Sequence, residues 1–336
     1  MVVGVDELAG GLCHGLEHHY AGEDGEPREV VLEVLFGAAH MLEGHDVRVR
    51  AFNDAIDEVE VHGVSIGHID RMDLPCGVPT IECEAVCVRH WDWSETSQTV
   101  SLITRDHGLV RCLAKGSKRE KAPFSGGLEI ATVGHMVSIV RPNSELVLLT
   151  SWDLLDPVYL LRSDLGRYHA AMYAIDLIPR LINDHDPHPE LYDAIRDVLR
   201  LLGSRIECGE GQIASLLVWY QWVLLGSIGS APELRADVED GAVLDPGRDV
   251  YGFDAHRGGF TQDPGSAGRG DIWRVRSETL ELLRRLDEGG EMGSIAEAGL
   301  QAKIRAGALL AMYIRTLVGH EIRSAYPIFP QTRPGI

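Results

Sequence analysis

Between residues 81 and 156 the chain alternates hydrophobic and polar positions in short segments. Turn sequences at 106–108 (DHG) and 142–143 (PN) separate some of these segments. Such alternation is typical of β-strands that bury one face, because successive side chains point to opposite sides of a sheet. The pattern predicts five strands, at 84–90, 99–104, 109–114, 128–140 and 145–155. Five short strands separated by turns predict a small β-barrel or β-sandwich.

From Pro157 onwards the hydrophobic period becomes helical. Five helices are predicted, at 159–182, 188–202, 212–225, 275–287 and 301–322. They form an all-helical domain over 157–325, with a Gly/Asp-rich irregular insertion at 235–271 and a short tail at 326–336. The uncharged stretch 211–232 predicts a buried core helix, because its continuous apolar part is too short to cross a membrane.

The first 80 residues differ from the rest of the chain in composition. They hold 16 acidic and 4 basic residues, no lysine, and 7 of the 15 histidines. A helix at 30–42 and a strand at 46–52 are predicted, but glycines interrupt any longer period. A sequence that is acidic and interrupted by glycines has few residues that could form a separate hydrophobic core, so it predicts a poorly ordered extension. One hypothesis is that the working start lies at Met72 or just after, which mass spectrometry of the native N-terminus tests.

Charge is distributed unevenly along the chain. The formal net charge of −20 by itself argues against nucleic acid as a partner, because phosphate binding needs a basic surface. Residues 81–150, however, hold 8 acidic and 8 basic residues, and one loop there carries three of the four lysines. These cationic residues follow one another at short spacing, and they predict contacts to phosphates: Arg111, Lys115, Lys118, Arg119 and Lys121.

Aromatic residues accompany the basic loop. Trp91, Trp93 and Phe124 are candidates for stacking on unpaired bases, and Gly116 allows the backbone to approach a ligand closely. The alternative is a solvated polar loop without a ligand. A small barrel with a basic loop in a lysine-poor chain favours nucleic-acid contact.

Other candidate chemistry is weaker. The segment 14–18 (HGLEH) matches the H-x-x-E-H pattern of a zinc peptidase class, but its glycine-flanked context favours a chance match. The segment 183–190 (NDHDPHPE) resembles a metal cluster, yet it lies between two predicted helices and favours a structural turn. The six cysteines form no C-x-x-C pair, and no signal peptide is visible, so a reduced, cytoplasmic protein is expected. No nucleophile elbow, phosphate-binding loop or dinucleotide fingerprint supports an enzyme.

Several motifs resemble the RecO family of bacterial DNA-repair and recombination mediators. In the predicted barrel these are 91–97 (WDWSETS), 105–108 (RDHG) and 114–119 (AKGSKR). In the helical region they are Arg167-Tyr168 before Met172-Tyr173, then 186–192 (DPHPELY), Trp219-x-Gln221-Trp222 and 232–234 (PEL). The similarity spans about 81–325 and leaves residues 1–75 outside.

The resemblance implies an α+β fold, with an N-terminal OB-fold barrel at 81–156 followed by the helical domain. It implies binding of single- and double-stranded DNA, annealing of complementary strands, and loading of RecA, together with RecR, onto strands coated by single-stranded-DNA-binding protein. No covalent catalysis is expected, and the protein is expected at the nucleoid. Contacts to the acidic tail of the single-stranded-DNA-binding protein are expected at Arg162, Arg167 and Tyr168, for which a solvated helix face is the alternative.

One departure from the family concerns zinc. Many members carry two C-x-x-C pairs after the Pro-Glu-Leu motif, whereas residues 235–271 contain no cysteine, which excludes a closed thiolate site there. Asp237 and Asp240 stand near the first expected pair, while the frame around Tyr251, Phe253 and Phe260 is kept. The sequence therefore predicts a zinc-module remnant that binds no zinc and depends on packing, with no cofactor.

Two other function classes stay open. One is an OB-fold scaffold that binds protein rather than DNA, which a strand-annealing assay distinguishes. The other is a metal-dependent hydrolase that uses the His-rich segments, which metal content and activity with and without a chelator would separate.

Overall fold

The computed structural model describes residues 80–119, 123–125, 128–140, 144–205, 208–265 and 272–333, together with the backbone of four strands within 28–65. The chain divides into two compact units, residues 1–80 and 81–336. The first unit contains one sheet, and the second contains two sheets and, among the described residues, the helices.

The first unit contains a four-stranded antiparallel sheet in sequence order, made of β1 (Arg28–Glu33), β2 (Asp46–Phe52), β3 (Ala55–Val61) and β4 (Val64–Ser65). Strand β2 confirms the strand predicted at 46–52. The helix predicted at 30–42 is wrong over its first residues, where β1 pairs with β2 from Arg28↔Ala51 to Glu33↔Asp46. The valine-rich start favours a strand once a partner is available. The rest of that predicted helix, the segment 14–18 and Met72 lie outside the described residues, and poor order of this region stays a prediction.

The second unit begins with a curled sheet of β5 (Thr80–Asp92), β6 (Gln98–Thr104), β7 (Gly108–Ala114), β9 (Val133–Ile139) and β10 (Val147–Asp156). A two-residue strand, β8 (Phe124–Ser125), pairs with β10. The order is β7-β6-β5-β9-β10, and β10 also runs parallel to β7 over the three pairs from Val147↔Cys112 to Leu149↔Ala114. All five predicted strands are present, and this pairing pattern is that of an OB-fold whose two sheet ends meet over a short contact.

Strand β5 is buried on both faces, which explains its nearly continuous apolar centre. Ala85 and Cys87 point into the interior of the curled sheet, where they pack in one cluster with Trp152. Val86 and Val88 belong instead to a second cluster that includes the helices. Burial raises the pKa of the Cys87 thiol to about 12, so that thiol stays protonated and unreactive at neutral pH.

Five helices follow, and each overlaps a predicted one. They are α1 (Leu165–Leu181), α2 (Pro189–Leu202), α3 (Glu210–Ser227), α4 (Ser277–Gly289) and α5 (Leu300–Val318). Helix α3 lies in the core, where the Tyr220 hydroxyl donates to the carbonyl of Ala174 (2.9 Å) and Gln221 donates to the Tyr173 hydroxyl (2.7 Å). Within the part of the chain that the structure describes, no helix combines the length and apolar character needed to cross a membrane.

The predicted irregular insertion contains regular structure. Strands β11 (Val250–Asp254), β12 (Gly259–Thr261) and β13 (Ile272–Arg276) form an antiparallel sheet in the order β12-β11-β13. The strands are short and joined by a tight Gly-containing turn, so their alternation is hidden by the Gly/Asp composition. Phe253 and Phe260 meet edge to face with ring centres 5.1 Å apart, and both belong to the hydrophobic cluster of the helices, where Phe253 also contacts the Tyr313 ring.

The loop between α1 and α2 docks onto the start of β7. The backbone N–H of His185 donates to the carbonyl of Leu109 (2.9 Å). Gly108 has a φ of +66°, and an added Cβ would lie 2.3 Å from the backbone oxygen of Asp186. The Asp184 carboxylate pairs with the Arg111 guanidinium at 2.9 Å. This segment, which looked like a metal cluster in sequence, therefore has the structural role that its position between helices favoured.

Ion pairs extend this contact between the curled sheet and the helices. Three more link the two parts: Arg89–Asp176 (3.3 Å), Arg105–Asp193 (3.2 Å) and Arg196–Glu84 (2.8 Å). Burial alone would raise the pKa of Asp176, but hydrogen bonds from Ser324, Arg180 and Arg89 hold that pKa below its usual value. The Asp176 carboxylate is therefore ionised at neutral pH and joins β5 to the helical domain.

Candidate nucleic-acid interface

Two loops meet at one end of the curled sheet. The first, residues 93–97, connects β5 to β6, and the second, residues 115–119, follows β7. Their strands align Asp92 with Gln98 and Gln98 with Ala114, so both loops leave the sheet at the same end. We call them the paired loops; they carry the two motifs WDWSETS and AKGSKR.

Hydrogen bonds hold the paired loops side by side. The N–H of Gly116 donates to the Ser97 hydroxyl (3.0 Å), and the N–H of Lys118 donates to the carbonyl of Thr96 (3.1 Å). The Ser117 hydroxyl donates to the Gln98 side-chain oxygen (3.2 Å). Ser97 is buried, so its hydroxyl is committed to this contact. Ser97 of the first motif and Ser117 of the second therefore help to hold the two loops in place.

A glycine is required at the turn of the second loop. Gly116 has a φ of +73°, a left-handed conformation that side chains with a Cβ adopt at a cost. The N–H of Arg119 donates to the carbonyl of Gly116 (3.0 Å), which closes the turn. This turn spaces the cationic residues of the loop along its exposed side.

The cationic residues predicted to contact phosphates differ in their surroundings. Lys115 and Arg119 are exposed, and neither forms an ion pair with a carboxylate of the described residues. The Lys118 ammonium lies 2.5 Å from the Asp92 carboxylate. Arg111 is occupied by Asp184 at the contact with the helical domain, and Lys121 lies outside the described residues. The exposed charge available to a ligand is therefore concentrated at Lys115 and Arg119.

The aromatic candidates separate into two groups. Trp91 and Trp93 are 50% and 63% exposed, an unusual state for large apolar rings, and both border the first of the paired loops. Phe124 is only 8% exposed, because it pairs with Trp152 and packs into the interior of the curled sheet. The prediction that Phe124 stacks on bases is therefore wrong for this structure.

A second exposed patch lies where the sheet passes into the helical domain. Arg162 and Tyr168 are exposed there, together with further large apolar side chains that sequence reasoning did not single out: Leu155, Tyr159 and Leu165. Arg167 differs from its neighbours. Its guanidinium donates to the carbonyls of Leu202 (3.2 Å) and Ser204 (2.7 Å) at the end of α2, which gives it a capping role.

The segment predicted to be a zinc-module remnant lacks the ligands of a thiolate zinc site. Asp237 is buried, and its two carboxylate oxygens accept hydrogen bonds from the N–H groups of Glu239 (2.8 Å) and Gln262 (3.1 Å). Asp240 accepts from the N–H of Ala242 (2.8 Å). Both carboxylates thus accept hydrogen bonds from the backbone, and residues 235–271 contain no cysteine that could supply the thiolates of a structural zinc site.

Sequence reasoning missed one charged residue of the site. Asp92 stands between the two exposed tryptophans, and only the structure shows that its carboxylate lies on Lys118. The Trp-Asp-Trp sequence was the available signal, because an acidic residue between two stacking candidates is unexpected at a phosphate-binding surface.

Comparison with known proteins gives one consistent result. Residues 78–158 match the family model described as "Recombination protein O N terminal", and residues 162–325 match "Recombination protein O C terminal". The DNA repair protein RecO of Anaeromyxobacter dehalogenans (strain 2CP-C) is 30% identical over 239 residues, which cover 70% of this chain and 91% of that protein. The DNA repair protein RecO of Myxococcus xanthus is 29% identical over 243 residues, covering 72% and 93%. That of Rhodopirellula baltica is 29% identical over 208 residues, covering 62% and 75%.

The two matched segments coincide with the curled sheet and the helical domain, and together they cover more than half of the chain. The first 77 residues lie outside both matches. With its OB-fold sheet, its helical domain and its paired loops, the chain belongs to the RecO family of DNA repair and recombination proteins.

Proposed function

We propose that this protein is a non-enzymatic recombination mediator that binds DNA through the paired loops. The observation that carries the proposal is that exposed Trp91 and Trp93 accompany two uncompensated cations, Lys115 and Arg119, which form no ion pair within the described part of the chain. Cations neutralise phosphates, and exposed rings stack on unpaired bases. This combination supports binding of a nucleic-acid strand, in which each nucleotide offers a phosphate to a cation and a base to an aromatic ring.

The proposed chemistry is entirely non-covalent. Ammonium and guanidinium groups hold the phosphates of single- or double-stranded DNA, while the tryptophans keep bases of a single strand unstacked and available for pairing. Annealing of complementary strands follows from holding one strand with its bases accessible. Membership in the family supports the further proposal that the protein acts at the nucleoid with RecR and assists the loading of RecA onto coated strands.

The proposal predicts a specific loss of DNA binding when the uncompensated cations are removed. The double variant Lys115→Ala/Arg119→Ala should bind a single-stranded oligonucleotide about tenfold or more weakly at 100 mM salt, because two phosphate contacts are lost. The slope of log K against log salt should fall by about 1.4, since each single-strand contact contributes roughly 0.7. Fluorescence anisotropy over a salt series measures both quantities.

Arg285→Ala provides a matched control, because Arg285 is an exposed arginine on α4 in the helical domain. It should bind DNA as the wild type does. Equal affinity and equal salt slope for the double variant and the wild type would show that the paired loops are not the DNA site.

The second exposed patch favours a protein partner. We propose that Arg162 and Tyr168 bind the acidic, apolar tail of single-stranded-DNA-binding protein, since arginine and tyrosine commonly dominate binding energy at such surfaces.

Arg162→Ala/Tyr168→Ala should weaken binding of a tail peptide about tenfold while leaving oligonucleotide binding unchanged. Isothermal titration with the peptide measures this change, and Arg285→Ala again serves as the control. Unchanged peptide binding would place the tail elsewhere.

A further inference from the structure

The ion pair between Asp92 and Lys118 lies at the centre of the candidate interface. The Lys118 ammonium is 2.5 Å from the Asp92 carboxylate, and the Asp92 side chain is 71% exposed. Asp92 is the last residue of β5 and stands between Trp91 and Trp93. A carboxylate thus faces solvent at the point where a DNA strand that contacts the tryptophans and Lys118 would place its phosphates.

Other contacts besides this ion pair hold the paired loops together. The paired loops are already joined by the contacts of Gly116 with Ser97, of Lys118 with Thr96 and of Ser117 with Gln98. Exposed ion pairs of this kind contribute little to folding, because water and salt screen them. The position of Asp92 therefore calls for an explanation other than stability.

Asp92 is charged when DNA would arrive. The hydrogen bond and the charge of Lys118 hold the pKa of the Asp92 carboxyl below its usual value, with a smaller effect from His90. At neutral pH the carboxylate is ionised, and like a phosphate it is an anionic oxygen acceptor for an ammonium group.

We propose that Asp92 is a built-in competitor for the DNA phosphate on Lys118, and that it limits the affinity of the paired loops for single-stranded DNA. The inference rests on the proposed function of these loops. A strand whose phosphate binds the Lys118 ammonium must first displace the Asp92 carboxylate from it. A mediator that anneals strands also has to release them, and a competing carboxylate keeps the hold on each strand weak enough for release.

The test is a cycle of Asp92→Asn and Lys118→Ala in the full chain, with a fluorescent single-stranded oligonucleotide as the probe. Asp92→Asn should bind about threefold to tenfold more tightly than the wild type, because the Lys118 ammonium is released from the carboxylate and can contact a phosphate. Its salt slope should be steeper by about 0.7, the contribution of one further single-strand contact. In the Lys118→Ala background the same substitution should change the affinity less than twofold.

Glu95→Gln is the matched control, because it removes one negative charge from the same loop, and Glu95 is paired with no cation of the described residues. If Asp92→Asn and Glu95→Gln change affinity and salt slope equally, or if the gain persists without Lys118, the competitor role is wrong while DNA binding by the loops stands. If the wild type and Asp92→Asn both fail to bind the oligonucleotide at low salt, the proposed function fails, and this inference fails with it.

Discussion

Replacing Gly108 with alanine should lower the free energy of unfolding by about 3–5 kcal/mol, a large loss for a domain of ordinary stability. Gly108 has a φ of +66°, and its missing Cβ would lie 2.3 Å from the Asp186 oxygen and 2.5 Å from the Asp186 carbonyl carbon. These are backbone atoms, so no flexible side chain can move aside. The substitution must push the loop between α1 and α2 away from β7.

Gly116→Ala is the matched control for backbone strain. Gly116 also has a left-handed φ, of +73°, but the nearest atoms to an added Cβ belong to the flexible Arg119 side chain, at 3.5 Å or more. This variant should lose only about 1–2 kcal/mol, the cost of the conformation alone. Urea unfolding followed by tryptophan fluorescence compares the two. Equal losses would mean that the close approach of Asp186 does not contribute.

The close approach at Gly108 brings together two motifs that are far apart in the sequence. The R-D-H-G segment ends at Gly108, and the D-P-H-P segment begins at Asp186; the two backbones touch in the folded chain. Arg111 and Asp184 add an ion pair to the same contact. These motifs therefore join the OB-fold sheet to the helical domain, and they are separate from the paired loops that we propose as the DNA site.

Much of the second unit could be predicted from periodicity. The five long strands of the curled sheet and the five α-helices were predicted, because each buries a stripe of side chains with the period of its own secondary structure. Periodicity did not reveal strands that were too short to show a clear alternation of buried and exposed positions. The antiparallel sheet at 250–276 contains strands of three and five residues, and its turn residues dominated the composition.

The candidate site was predicted in outline but not in its electrostatics. The lysines and tryptophans were found because they are rare and clustered. Arg111 and Phe124 belong to the same stretch of sequence, yet one faces Asp184 and the other the sheet interior. Both outcomes depend on segments distant in sequence, namely the α1–α2 loop and β10, and no local pattern reports such contacts.

In the segment predicted to be a zinc-module remnant, carboxylates and an arginine organise two turns, one at 237–242 and one at 254–258. Its second turn is organised by Asp254, which is buried and accepts from the N–H groups of His256 (2.9 Å) and Arg257 (3.0 Å). The Arg257 guanidinium donates to the other Asp254 oxygen (2.8 Å) and lies 3.6 Å from the Glu239 carboxylate of the first turn. The Arg257 guanidinium therefore lies between two carboxylates and links the two turns, a position that a metal ion could otherwise take.

Replacing Asp254 with alanine should therefore lower the free energy of unfolding by about 2–4 kcal/mol, because two N–H groups and one guanidinium lose their acceptor. Asp254→Asn keeps an oxygen for the backbone and loses only the ion pair, so it should lose about 1 kcal/mol. Thermal unfolding measures both variants.

The pH dependence of stability tests whether the ionised form of Asp254 stabilises the fold. Burial would raise the pKa of Asp254, but hydrogen bonds from the Arg257 backbone and guanidinium and from the His256 backbone outweigh burial and lower it. A lowered pKa in the folded state stabilises the protein above the unfolded value of about 4 and loses this effect as the pH falls through the folded value. The advantage of the wild type over Asp254→Asn should thus be full at pH 7 and shrink below about pH 4. A pH-independent difference, or one zinc per chain whose removal by a chelator lowers the melting temperature, would contradict this account of the module.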